Sequence, residues 1–179
     1  MNRKVKYMLS VIGEHFLYIV ISLALICVGG AVFNKALWIA SVITGGIYLS
    51  SLYSSAWRNS GKDFRWANAR LKQGEADKLD YRIYDGFLHA LPLLVLSALI
   101  WVLYLVLGGA MFTVYRVYNF AFVNIFDKIK TPYVFEVIVL ILPYLSYSIG
   151  YIVGKSRKTF VTQHINKLIY KQKKKPDKK

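Results

Sequence analysis

Asp85 and His89 stand four residues apart, the spacing that sets two side chains on one face of a helix, where a carboxylate could orient an imidazole as a proton acceptor. Glu14 and His15 are expected at the same membrane depth, at the inner end of the first apolar run. Together the four make a candidate polar rim whose two imidazoles and two carboxylates suit a transition metal or a proton. That chemistry requires His15 and His89 to lie within about 6 Å of each other, close enough for coupled ionisation. The competing reading is plainer: acids in the first turn of a helix complement its dipole, and histidines at an interface are simply hydrated. It is the stronger of the two, so no metal, no cofactor and no catalytic residue is expected. Glu136, four residues after Pro132, reads in the same way as a helix-start acid.

Other reaction signatures are missing. There is no His-Glu-x-x-His, no phosphate-binding glycine loop ending in Lys-Ser or Lys-Thr, and no Gly-x-Ser-x-Gly nucleophile turn. The single Cys27 allows neither an intrachain disulfide nor a thiolate cluster, and Ile26 before it is bulky where lipoprotein processing wants a small residue. Enzyme is therefore the weakest class.

The elements that must position these residues are membrane spans. The 179 residues are 56% hydrophobic and 18% charged, with a mean hydropathy of +0.39 and a net charge of +15, so apolar and basic residues must be segregated along the chain. Apolar runs cover 16–33, 36–57, 87–112 and 134–153, each long enough to cross a hydrocarbon core of about 30 Å as a helix. The chain reads as a single all-α membrane domain of four transmembrane helices. The basic start imitates a secretory signal, but its apolar run is too long and is followed at once by another span, so it is expected to stay as the first helix.

Lysine and arginine set the orientation. Twenty of the 24 lie in the N-terminal tail, in 58–86 or from Lys155 onward; the other side holds only Lys35, Arg116, Lys128 and Lys130. The positive-inside rule then places both termini and the central loop in the cytoplasm. The aromatic stretch 113–133 is expected to lie in the outer headgroup layer as a short amphipathic helix.

Small residues recur every four positions as Gly46, Ser50 and Ser54 in the second run and as Ser146, Gly150 and Gly154 in the fourth. Such stripes favour close helix packing, within the bundle or against a partner span. Gly29-Gly30-Ala31-Val32-Phe33 recurs as Gly108-Gly109-Ala110-Met111-Phe112, and Tyr48-Leu49-Ser50 as Tyr144-Leu145-Ser146, as two parallel helical hairpins related by duplication would give. Pro92 and Pro143 interrupt the last two runs.

Residues 58–86 read as a cytoplasmic amphipathic loop: Ser60 caps a short helix over 64–72, Gly74 breaks it, and a second helix runs from Glu75 toward the third span. Residues 155–179 form a cytoplasmic basic tail, ending in Lys171, Lys173, Lys174, Lys175, Lys178 and Lys179, which would bind the anionic inner leaflet at about 1 kcal/mol each. A polybasic end beside a span is lipid-facing rather than a nucleic-acid arm.

Lys62-Asp63-Phe64-Arg65, Asp77-Lys78-Leu79 and Gly150-Tyr151-Ile152-Val153-Gly154 together resemble small uncharacterised four-span membrane proteins of Gram-positive bacteria. The resemblance implies a bacterial plasma membrane and assigns no activity. The reading that follows is a non-enzymatic accessory or scaffold subunit holding a membrane-protein partner, or a second copy of itself. The alternative is a small transporter or channel component working as an oligomer.

Overall fold

A computed structural model of the chain describes residues 3–33, 37–75, 79–126 and 132–155. Among these residues every regular element is a helix: α1 (Arg3–Phe33), α2 (Leu37–Lys72), α3 (Asp85–Leu107), α4 (Gly109–Tyr118), a 3₁₀ turn (Phe120–Phe122), α5 (Val123–Phe126) and α6 (Pro132–Gly154). Four of the helices are long and apolar enough to cross a membrane, over Arg3–Gly29, Leu37–Lys72, Asp85–Leu107 and Val134–Gly154. Their outer faces carry Leu17, Val20, Val95, Leu99, Val106, Ile138 and Ile149 in the open. An apolar surface of that extent suits lipid and not water.

Tyrosines and small residues fill the interior instead. Tyr48, Leu52, Ala56, Ala90, Tyr147 and Tyr151 are all buried, with Ser41, Ser60 and Ser148 beside them. In lipid there is no hydrophobic gain from hiding leucine, so the faces that meet are those that allow close backbones or interhelical hydrogen bonds. The α2–α6 interface, the most extensive in the bundle, shows this. Ser146 Oγ donates to Leu49 O at 2.7 Å, Gly150 sits against the Tyr53 backbone, and a Cβ on Gly154 would come within 2.5 Å of Trp57 O.

The helix neighbours run α1, α2, α6, α3 and back to α1. Contacts climb together along α2 and α6, and also along α1 and α3, where Lys4 meets Asp85 and Tyr7 meets His89. The two hairpins are thus parallel neighbours with like-directed helices side by side. A two-fold axis along the membrane normal would set like helices at opposite corners, so the arrangement departs from the one expected of a duplicated hairpin.

Two expectations for the inner connection are corrected. Ser60 caps nothing: α2 runs unbroken to Lys72, because its lower turns pack on α6 through Gly61 and Gly154 and on the 79–84 segment through Ser60 and Tyr81. Gly74 does end it, with φ +72° and the paired bonds Gly74 N–H to Leu71 O and Glu75 N–H to Arg70 O that close a helix in the Schellman manner. No helix runs from Glu75 into the third span; residues 79–82 are irregular and α3 starts at Asp85.

The largest difference concerns the outer connection. α3 stops at Leu107, and Gly108, at φ +55°, turns the chain so that α4 packs back along α3, with Tyr104 stacked on Tyr115 at 4.7 Å. Residues 109–126 therefore re-enter the bundle and do not lie in the headgroup layer as one amphipathic helix. Non-helical backbone at that depth is tolerated only where protein covers it and its polar groups find partners. α2 supplies them: Thr44 Oγ1 donates to Ala121 O at 3.1 Å, and Ser41 Oγ accepts from the Asn124 backbone N–H and side chain. Gly45 lets Phe122 lie against α2, since a Cβ there would sit 2.5 Å from the ring.

Candidate functional site

Two polar clusters occupy the interior, one above the other, and they divide the expected rim. The deeper cluster belongs to α1, α2, α3 and the re-entrant segment. His15, 5% exposed, bonds the Tyr48 hydroxyl through Nδ1 at 2.6 Å and lies 4.3 Å, centroid to centroid, from the Tyr118 ring. Tyr118 in turn shares a hydrogen bond with Ser97 at 2.8 Å. Glu14, next along α1, accepts from Ser55 Oγ at 2.5 Å. The His15 Nε2 and one Glu14 oxygen are shut from solvent and have no partner among the described residues.

The second cluster lies at the end of the bundle that carries the N-terminus. Asp63, well inside α2 because that helix continues past Ser60, is its hub. One carboxylate oxygen is ion-paired with Arg3 and accepts from the Tyr7 hydroxyl at 3.1 Å, while the other accepts from the Tyr151 hydroxyl at 2.7 Å. Thus α1, α2 and α6 are tied together by one side chain. Arg3 also lies over Trp66, which Arg70 covers as well, each guanidinium 4.9 Å from the ring. Tyr81, from the irregular segment before α3, stacks on Tyr151 and bonds Ser60 at 2.8 Å. Burial raises the Tyr81 phenol above its ordinary pKa, the Ser60 bond opposing, so it acts here as a neutral group.

These side chains wall a cavity of about 180 Å³, with His89 in its lining beside Asp63 and Asp85. His89 is 1% exposed, held edge-on between Tyr7 and Tyr151 at 5.1 and 5.3 Å, and neither ring nitrogen has a partner among the described residues. Asp85 does not orient it. That carboxylate is in the first turn of α3, as expected, but pairs with Lys4 at 3.0 Å.

Glu14 and His15 are therefore not at the depth of Asp85 and His89. Tyr7, level with His89, precedes His15 by eight residues, about 12 Å along the helix. Among the described residues no three His, Cys, Asp or Glu side chains are grouped as a metal would need. Glu136 is also placed differently from expectation. It lies beyond the first turn of α6, 6% exposed, and accepts from Trp101 Nε1 at 3.0 Å.

The small-residue stripes separate as well. Ser146, Gly150 and Gly154 meet α2, but along Leu49, Tyr53 and Trp57; Gly46, Ser50 and Ser54 face outward from the bundle, with nothing within 4 Å of a Cβ at Gly46. The lysines expected to bind lipid, Lys171, Lys173, Lys174, Lys175, Lys178 and Lys179, fall outside the described residues, as do Asn34 and Lys35.

Reading the sequence alone missed Asp63, Tyr7, Tyr151 and the role of Tyr118. An acid followed by Phe, Arg and Trp looks like an interfacial loop; only its place on a continuous α2 reveals a buried hub. Comparison with protein-family models, curated proteins and solved structures gives no match.

Proposed function

We propose that the protein is a non-enzymatic, multi-pass plasma-membrane protein that takes a small polar solute into the cavity beside His89, as a small transporter component. The basic end, where that cavity lies, is assigned to the cytoplasm by its charge. The observation that carries the reading is His89 itself. A buried imidazole without partners costs about 1–3 kcal/mol for each unsatisfied group; both nitrogens are shut from solvent as the side chains stand, so its place is explained if a solute that parts the cavity lining bonds it.

The lining narrows the solute. Arg3, Lys4 and Arg82 are balanced by Asp63, Asp80 and Asp85, which favours a zwitterion or a neutral polar molecule over a multiply charged anion. A volume of about 180 Å³ is far more than one water needs, yet below the roughly 300–1,000 Å³ of pockets for larger ligands.

Transport, beyond simple binding, is favoured by the polar groups that continue inward. From Tyr151 and Asp63 the series passes through Asn59 with Tyr147, Glu14 with Ser55, and His15 with Tyr48, to Tyr118 and Ser97 under the re-entrant segment. Polar groups at membrane depth are expensive and mark solute or proton paths by default.

The test uses purified full-length protein heated with single amino acids, small amines and small carboxylates, with any stabilising solute then followed as labelled uptake into proteoliposomes. A solute that raises the unfolding temperature of wild type but not of His89→Phe, and accumulates above protein-free vesicles, supports the proposal. No stabilisation by any class would sink it.

A second reading, an accessory subunit, is favoured by the open face of α2. Gly46, Ser50 and Ser54 lie exposed on successive turns, with Ile43 and Ile47 exposed beside the first of them, where a partner helix or a second copy of the chain could approach closely.

A further inference from the structure

Apart from both clusters, a groove of about 420 Å³ runs between the lower ends of α2 and α6, lined by Trp57, Arg58, Gly61, Lys62, Arg65 and Gly154. Arg58, Lys62 and Arg65 follow one another at four and three residues, so they share one face of α2. All three are exposed. Among the described residues its lining contains no carboxylate. Glu14 is within electrostatic reach of Arg58 but bonds Ser55 and lies outside the groove.

Three like charges on adjacent turns repel unless an anion sits among them. An unsatisfied neutral donor lies beside the groove, behind its lining. The Trp57 indole N–H is shut from solvent and has no acceptor among the described residues. Gly61 and Gly154 leave the floor as backbone, with a Cβ at Gly61 lying only 3.8 Å from Gly154 O.

Depth identifies the anion. Trp57 lies twenty residues into α2, about 30 Å along the helix, which is one hydrocarbon thickness. The cations that follow it therefore stand at the level of lipid phosphates. Arginine matches phosphate through two parallel N–H donors, and basic pockets between spans on this side of a membrane suit anionic headgroups.

We infer that this groove is a specific site for the phosphate of an anionic phospholipid in the leaflet at the basic end, distinct from the polybasic tail. Free phosphate would share the charge chemistry but not the location, since only a lipid places its phosphate diester there with acyl chains against the apolar turns above.

Native mass spectrometry of the full chain, released from mixed micelles with phosphatidylglycerol or phosphatidylcholine, tests this. Wild type should retain phosphatidylglycerol in preference to phosphatidylcholine. The triple variant Arg58→Gln, Lys62→Gln, Arg65→Gln should retain it more weakly by on the order of tenfold or more. A variant with Lys171, Lys173, Lys174 and Lys175 changed to Gln should still retain it, and the single variant Lys62→Glu serves should the triple fail to fold. Equal retention of both lipids, retention unchanged in the triple variant, or loss with the tail variant alone would overturn the inference. Displacement of the lipid by inorganic phosphate would overturn the lipid as ligand and leave a soluble-anion site.

Discussion

Gly150 of α6 lies directly against the backbone of Tyr53 in α2, so closely that a Cβ there would overlap the Tyr53 carbonyl. Backbone cannot move aside as a flexible side chain can. Gly150→Leu should therefore destabilise the bundle by about 3 kcal/mol or more, at the top of the range for overpacking. Ile149→Leu, on an exposed position, and Gly46→Ala, with nothing within 4 Å, should each stay within about 0.5 kcal/mol of wild type. Unfolding in detergent checks this; three equal losses would show that α6 does not pack on α2 through its glycines.

Asp63 holds Arg3, Tyr7 and Tyr151 at once, whereas Glu75 is exposed and pairs with Arg70 alone. Asp63→Asn leaves Arg3 without its counter-charge and should cost roughly 2 kcal/mol or more. Glu75→Gln should cost at most about 0.5 kcal/mol. Denaturation of the two variants side by side decides the matter, and a silent Asp63→Asn would remove it as the hub.

The re-entrant segment is open to a labelling test. In a Cys27→Ser background, Ala121→Cys should react slowly with a membrane-impermeant maleimide and Thr113→Cys quickly, since Ala121 is buried under α2 and Thr113 is exposed. Adding Gly45→Leu, which displaces Phe122, should raise the Ala121→Cys rate severalfold. Equal rates at 113 and 121 in the otherwise unchanged chain would place 109–126 outside the bundle.

Orientation follows from the charge asymmetry. Reporters fused near Gly74 and after Lys179 should report the cytoplasm, and reporters after Lys35 or between Lys128 and Lys130 the exterior. An external signal at Gly74 would refute the orientation assigned to the cavity and the groove.

The four spans, the all-helical class and the stop at Gly74 were legible in the sequence because each is a local or near-local property: an apolar run of membrane length, or a glycine at the end of a helix. What lies between the helices was not. Gly29-Gly30 and Gly108-Gly109 open the same short motif, yet the first pair is helical within α1 and the second breaks α3 at φ +55°. The difference comes from partners far along the chain, Ser41 and Thr44, that can satisfy the returning backbone. Likewise a four-residue period shows that Gly46, Ser50 and Ser54 share a face but not which way that face turns. In lipid, hydrophobicity does not separate inside from outside, so close packing and hydrogen bonding decided it. The same tertiary choice parted His15 from His89 and set Asp63 between three helices.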